Sequence, residues 1–139
     1  MKVLIDTNIV LDVLANREGF AESAAQLFKL CEIGQLQGYV YALSIANIVY
    51  ILRRELDRSQ IEDVIGKLGA IFTIADMKAE DLKKAAALPI RDYEDALQCI
   101  CASRIKADFI ITRNLKDFQG SKVMAVKPGE LIERLRTEE

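Results

Sequence analysis

Asp6 closes a short apolar run, Val3-Leu4-Ile5, and is followed by Thr7 and Asn8 before the apolar pattern resumes. A carboxylate there is expensive to bury unless it is paired or binds a cation. Two later segments carry further oxygen ligands: RDYEDALQ, with Asp92, Glu94 and Asp95, and ITRNLKDF, with Asn114 and Asp117. Asp92 and Asp95 are three residues apart, so both can face one place from the first turn of a helix. Glu94 is turned about 100° away from Asp95. Acidic residues also suit a helix N-terminus for their own sake. Taken alone, Asp92 reads as an N-cap, Glu94 as a solvated first-turn acid, and Asp117 equally well as a turn residue. Asp6 and Asp95 resist that explanation, because one ends a buried strand and the other adjoins the apolar Ala96-Leu97.

Carboxylates gathered in one pocket raise each other's pKa, and a divalent cation removes the repulsion. Oxygen-only donors without a Cys or His cluster suit Mg²⁺ or Mn²⁺ better than Zn²⁺. Such ions activate water and stabilise the charge that builds on a phosphoryl group. The chain has no histidine, which excludes a Ser-His-Asp triad, a His base and His metal ligands. No GxGxxG or Walker A loop is present.

The elements that must position these acids follow from the apolar pattern. The 139 residues, 51% of them hydrophobic, suffice for one domain spanning 1–139 and leave apolar surface for a partner subunit. Strands are expected over Lys2–Asp6, Gly38–Tyr41, Ala70–Ala75, Asp108–Thr112 and Lys122–Val126. Between them fall helices over Asn8–Ala15, Ala21–Ile33, Ser44–Leu56, Ser59–Leu68, Lys78–Leu88 and Asp92–Lys106, and Pro128 opens a last one. Asn8, Ser44 and Asp92 are expected N-caps, and Ser59-Gln60-Ile61-Glu62 reads as a capping box. The first, third and fourth strands are continuous apolar runs, as in a parallel sheet covered on both faces. The expected fold is an α/β/α sandwich with a mainly parallel central sheet of about five strands. Ligands in such folds sit outside the carboxyl ends of the strands, where Asp6 and Thr112-Arg113-Asn114 fall.

LIDTN at the first strand, EDAL on a late helix, and TRN with DF after the fourth strand together resemble the PIN-domain family, in order and over nearly the whole chain. The helix SIANIVYILR, Ser44 to Arg53, resembles one branch of it. The resemblance implies a Mg²⁺- or Mn²⁺-dependent endoribonuclease, acting on RNA and serving as a VapC-type toxin with an antitoxin partner. By that resemblance Asp6 is the first metal-binding aspartate, Asp95 the aspartate of the later helix, and Thr112 opens the TRD-like turn. Asn114 stands where an aspartate is usual and Asn47 where a glutamate is usual. Both keep an oxygen and lose a charge, which is expected to weaken cation affinity; Asp117, Glu94 and Asp92 are the candidates to supply the missing charge, with Asp117 first by its closeness to Asn114. Asn47 serves either as a ligand or as a hydrogen-bonding neighbour.

Arg113 and Lys116 flank Asn114 and are the expected RNA phosphate contacts. Leu11, Leu14, Phe28, Tyr50 and Leu52 read as core or dimer surface, and a homodimer is expected. Net charge is -2, which argues against bulk attraction to nucleic acid but leaves room for a local basic patch. Cys31, Cys99 and Cys101 form no CxxC, and neither a signal peptide nor a transmembrane run is evident. The expectation is a cytoplasmic protein with free thiols and no membrane contact. Two alternatives remain. One is a degenerate PIN domain that binds RNA or a partner without cutting. The other is a phospho-accepting receiver-like domain, suggested by Asp76, Thr112 and Lys127-Pro128 at strand ends and opposed by the single acid after the first strand.

Overall fold

Val3, Leu4 and Ile5 alternate between two cores because β1 (Lys2–Ile5) runs through the middle of a covered sheet. A computed structural model describes residues 1–138. The other strands are β2 (Gln37–Tyr41), β3 (Thr73–Ala75), β4 (Phe109–Ile111) and β5 (Met124–Val126). All pairings are parallel, in the order β3-β2-β1-β4-β5. The helices are α1 (Thr7–Leu14), α2 (Ala21–Glu32), α3 (Ala42–Leu52), α4 (Arg58–Ile71), α5 (Ala79–Ala86), α6 (Tyr93–Arg104) and α7 (Pro128–Thr137). Val3, Ile5 and Ile111 pack with Ile9, Leu27, Ile48 and Leu131 on one face. Leu4 and Ile110 pack with Ala85, Leu97 and Ala102 of α5 and α6 on the other. Each such Leu or Ile contributes ~1.5–3 kcal/mol by leaving water. The expected α/β/α sandwich with five parallel strands is the observed one.

The strand order also decides against the receiver-like alternative. A receiver has the order 2-1-3-4-5, whereas here the chain steps from β1 through β2 to β3 and then crosses to β4. The reversal lies between β1 and β4, and a crevice opens where the connections diverge. Asp6 leaves β1 there, and Thr112 leaves β4 beside it, with Asp6 N donating to Ile111 O at 2.9 Å.

Several boundaries differ from expectation. Asp57, not Ser59, caps α4, because Asp57 and Gln60 satisfy each other's backbone N–H groups reciprocally at 2.9 Å. α4 then runs on to Ile71 and shortens β3 to three residues. β3 is an edge strand, so Thr73 and Ile74 are exposed rather than covered on both faces. α3 begins at Ala42, which places Ser44 inside its first turn, fully buried, rather than at its cap. α1 begins at Thr7, so Asp6 occupies the N-cap position expected for Asn8. The pattern also gave no warning of the 3₁₀ turn Leu115–Phe118 after β4.

Candidate metal centre

Asp6 is 4% exposed. Although it stands at the head of α1, its side chain makes no cap hydrogen bond. It turns instead to two neutral donors: Gln98 Nε2 donates to Oδ1 at 2.9 Å and Thr112 Oγ1 to Oδ2 at 2.8 Å. Burial pushes the Asp6 carboxyl above its ordinary value. The bonds from Gln98 and Thr112 and the Thr7 N–H oppose that rise, and repulsion from Asp117 adds to it.

Asp95 reaches the same place from the first turn of α6. Asp92 caps that helix as expected, accepting from Asp95 N at 3.0 Å. Asp6, Asp92, Glu94, Asp95 and Asp117 line one hollow of about 390 Å³, together with Asn47 and Asn114. Thr7 Oγ1 donates to Glu94 Oε1 at 3.4 Å. Asp95 records the crowding: its carboxyl is pushed up to about 7 by burial, and then by Asp92, Asp6, Asp117 and Glu94. Among the described residues no lysine or arginine lines this hollow. Among the described residues no three acidic side chains stand close enough together to hold an ion as they are placed. The donor set nonetheless fits a hard divalent cation, being all oxygen and carrying charge that nothing within the hollow balances.

A family model described as the PIN domain matches residues 2–116. The chain belongs to the PIN-domain family. This PIN domain is similar in fold to a chain of VapBC2 from Rickettsia felis bound to a DNA fragment from its promoter. That match has TM-score 0.72 and 16% identity, and covers 91% of this chain and 98% of the other. A toxin-antitoxin complex from Klebsiella pneumoniae matches with TM-score 0.70 and 22% identity, over 91% and 97% of the two chains. VapBC-1 from nontypeable Haemophilus influenzae matches with TM-score 0.69 and 17% identity, over 93% and 99%. At these identities the likeness is one of fold. No curated protein matches the chain in sequence.

The basic residues of this PIN domain are distributed differently from expectation. Arg113 does not face the acidic hollow. Its Nε and Nη2 donate to Asp12 at 3.1 and 3.3 Å, and its guanidinium lies 4.2 Å from the centre of the Phe20 ring. Asp12 is 0% exposed, and a buried charge takes whatever cation is in reach; Arg17 joins it at 3.3 Å. Lys116 remains exposed and lines an adjoining hollow of about 530 Å³ with Arg91, next to Asp92, Asp95 and Asp117. Tyr50, expected in the core or a dimer surface, is 61% exposed and borders the acidic hollow with Ile51. Arg53 lies over its ring, 3.9 Å from the centre. Leu11 and Phe28 are core residues as expected.

Sequence reasoning missed Gln98. Its signal was position: three residues beyond Asp95, it shares that residue's face of α6. A second missed feature is the buried Asp81, which accepts from Tyr41 Oη at 3.0 Å and from Arg104 Nη2 at 2.9 Å. No helix is long and apolar enough to cross a membrane among the described residues.

Proposed function

We propose that this PIN domain is a metal-dependent endoribonuclease that hydrolyses RNA phosphodiester bonds as the toxin of a toxin–antitoxin pair. The observation that carries the proposal is the meeting of Asp6 and Asp95, from segments far apart in the chain, in one hollow without a basic residue. Asp6 and Asp95 would hold Mg²⁺ or Mn²⁺, with Asp117 and the side-chain oxygen of Asn114 beside them and Asn47, Glu94 and Asp92 in support. When bound, the cation would supply activation of water and stabilisation of charge on the phosphoryl oxygens. Asp6 anchors the set because Gln98 and Thr112 fix both its oxygens. Asp95, whose carboxyl is pushed up by burial and then by its acidic neighbours, would serve as a ligand in its deprotonated form. Lys116 and Arg91, which line the adjoining hollow, are the residues best placed to contact RNA phosphates.

The toxin role is supported by membership of the family and by likeness in fold to chains from VapBC and other toxin–antitoxin complexes. An antitoxin protein that covers the acidic hollow, and a homodimer in the cytoplasm, belong to the same proposal. The test is incubation of an RNA panel with Mn²⁺ or Mg²⁺, comparing wild type with Asp6→Ala and Asp95→Ala. Cleavage is expected from wild type alone and is expected to stop with EDTA. Cleavage that persists in both variants, or in EDTA, refutes the mechanism.

Asn47 and Asn114 at the hollow favour one second reading, a PIN domain that binds RNA or a partner without cutting it. Calorimetric titration separates the two. Tight, stoichiometric Mn²⁺ binding that Asp6→Asn abolishes counts against an inert site.

A further inference from the structure

Gln98 is 1% exposed, beneath the acidic hollow rather than on its rim. Its amide nitrogen donates to Asp6 Oδ1, and its amide oxygen, also buried, has no hydrogen-bond partner among the described residues. Turning the amide over would set that oxygen against the Asp6 carboxylate, so Asp6 dictates the orientation. Thr112 Oγ1 accepts from Asn114 N at 3.1 Å and spends its own proton on Asp6 Oδ2. Each Asp6 oxygen thus receives one neutral side-chain donor, and the carboxylate, with room for about four acceptor contacts, keeps lone-pair capacity free. A buried acceptor without a donor is a liability that an apolar side chain of similar length would remove. Packing alone does not explain a glutamine there.

We propose that Gln98 is a positioning residue, which aims the Asp6 carboxylate at a divalent cation while leaving its negative charge intact. The proposal rests on the nuclease reading above. An arginine or lysine at this position would orient Asp6 equally well but would supply the very charge that the cation must bring. That is how Arg104 meets Asp81 and Arg113 meets Asp12 elsewhere in the fold. With asparagine at 47 and 114, fewer carboxylates share the ion, so the aim of each one weighs more.

The test is calorimetric titration of Mn²⁺ into wild type, Gln98→Met and Gln98→Leu, with thermal unfolding of each metal-free protein. Mn²⁺ affinity is expected to fall about tenfold or more in both variants, the usual effect of removing a partner of a metal ligand. The unfolding temperature is expected to stay close to wild type, because loss of the bond to Asp6 is offset by removal of the unpartnered oxygen. A purely structural glutamine gives the opposite pattern, lower stability with unchanged affinity. Wild-type affinity in the variants, or variants that fail to fold, overturns the role of Gln98 and leaves the nuclease reading standing. A wild-type protein that binds no Mn²⁺ overturns both.

Discussion

Three aspartates are buried in this fold, and two of them are treated unlike the third. Asp12 and Asp81 are each 0% exposed, and each is met by arginine: Asp12 by Arg17 and Arg113, Asp81 by Arg104. Asp6, also buried, is met by no charged side chain, only by the Gln98 amide, the Thr112 hydroxyl and the Thr7 N–H. Burial alone pushes Asp81 upward, but the hydrogen bonds from Arg104, Lys78 N–H and Tyr41, with the Arg104 charge, bring its carboxyl below the ordinary value. At Asp6 burial wins and the carboxyl rises. Asp12 and Asp81 are therefore closed structural pairs: the first ties α1 to the turn after β4, the second ties β2 and α5 to α6. On the proposed reading, Asp6 would keep its charge for a cation from outside the chain. A protein tolerates such a charge where function draws on it.

The contrast breaks most visibly at Asp81. Arg104→Met strands a buried carboxylate and is expected to lower stability by about 3 kcal/mol, read by urea unfolding, with Mn²⁺ affinity unchanged. A loss of metal binding in that variant would blur the distinction between the two kinds of aspartate.

Asp95 gives the next largest effect, through pH. Its carboxyl titrates at about 7 in the fold against an ordinary value of 3.8. Between those values the folded protein keeps a proton that the unfolded chain has released. Metal-free stability therefore falls as pH rises through that window. Asp95→Asn is expected to flatten the slope and to raise metal-free stability at about pH 8 by ~1–2 kcal/mol, allowing for solvent screening. Urea unfolding across the pH range checks it, and an unaltered slope would show that Asp95 is not crowded by its neighbours.

Asn114→Asp adds a carboxylate to the hollow and is expected to tighten Mn²⁺ binding by about tenfold, measured by calorimetry. The smallest effect belongs to the flank. Lys116→Ala is expected to weaken RNA binding across all sequences and to lower the salt dependence of binding by about one unit of slope. Arg113→Ala is instead expected to act on folding, through Asp12.

What the sequence revealed about the site follows the same division. Asp6 and Asp95 stood out because a charge against an apolar run contradicts its local pattern, and such contradictions mark function. The alternation of strands and helices was legible from apolar periodicity together with capping and proline signals. Gln98 was hidden because a neutral amide inside a helix contradicts nothing. Arg113 was misread because its partner, Asp12, becomes a buried anion only after α1 packs against the turn that follows β4. The short β3 was misjudged because its place at the sheet edge depends on strand order, which apolar runs do not encode. Asp57 and Ser59 both suit a helix start, and the reciprocal bonds with Gln60 decide between them only in three dimensions.

The most direct test of the Asp6 account is the shift in unfolding temperature on adding Mn²⁺ to wild type, Asp6→Asn and Asp12→Asn. A ligand that binds only the folded state raises that temperature, by an amount that grows with the logarithm of its concentration over its Kd. Wild type and Asp12→Asn are expected to rise, and Asp6→Asn to stay where it is. An equal rise in Asp6→Asn, or none in wild type, would mean that the charge at Asp6 is not held in reserve for a cation.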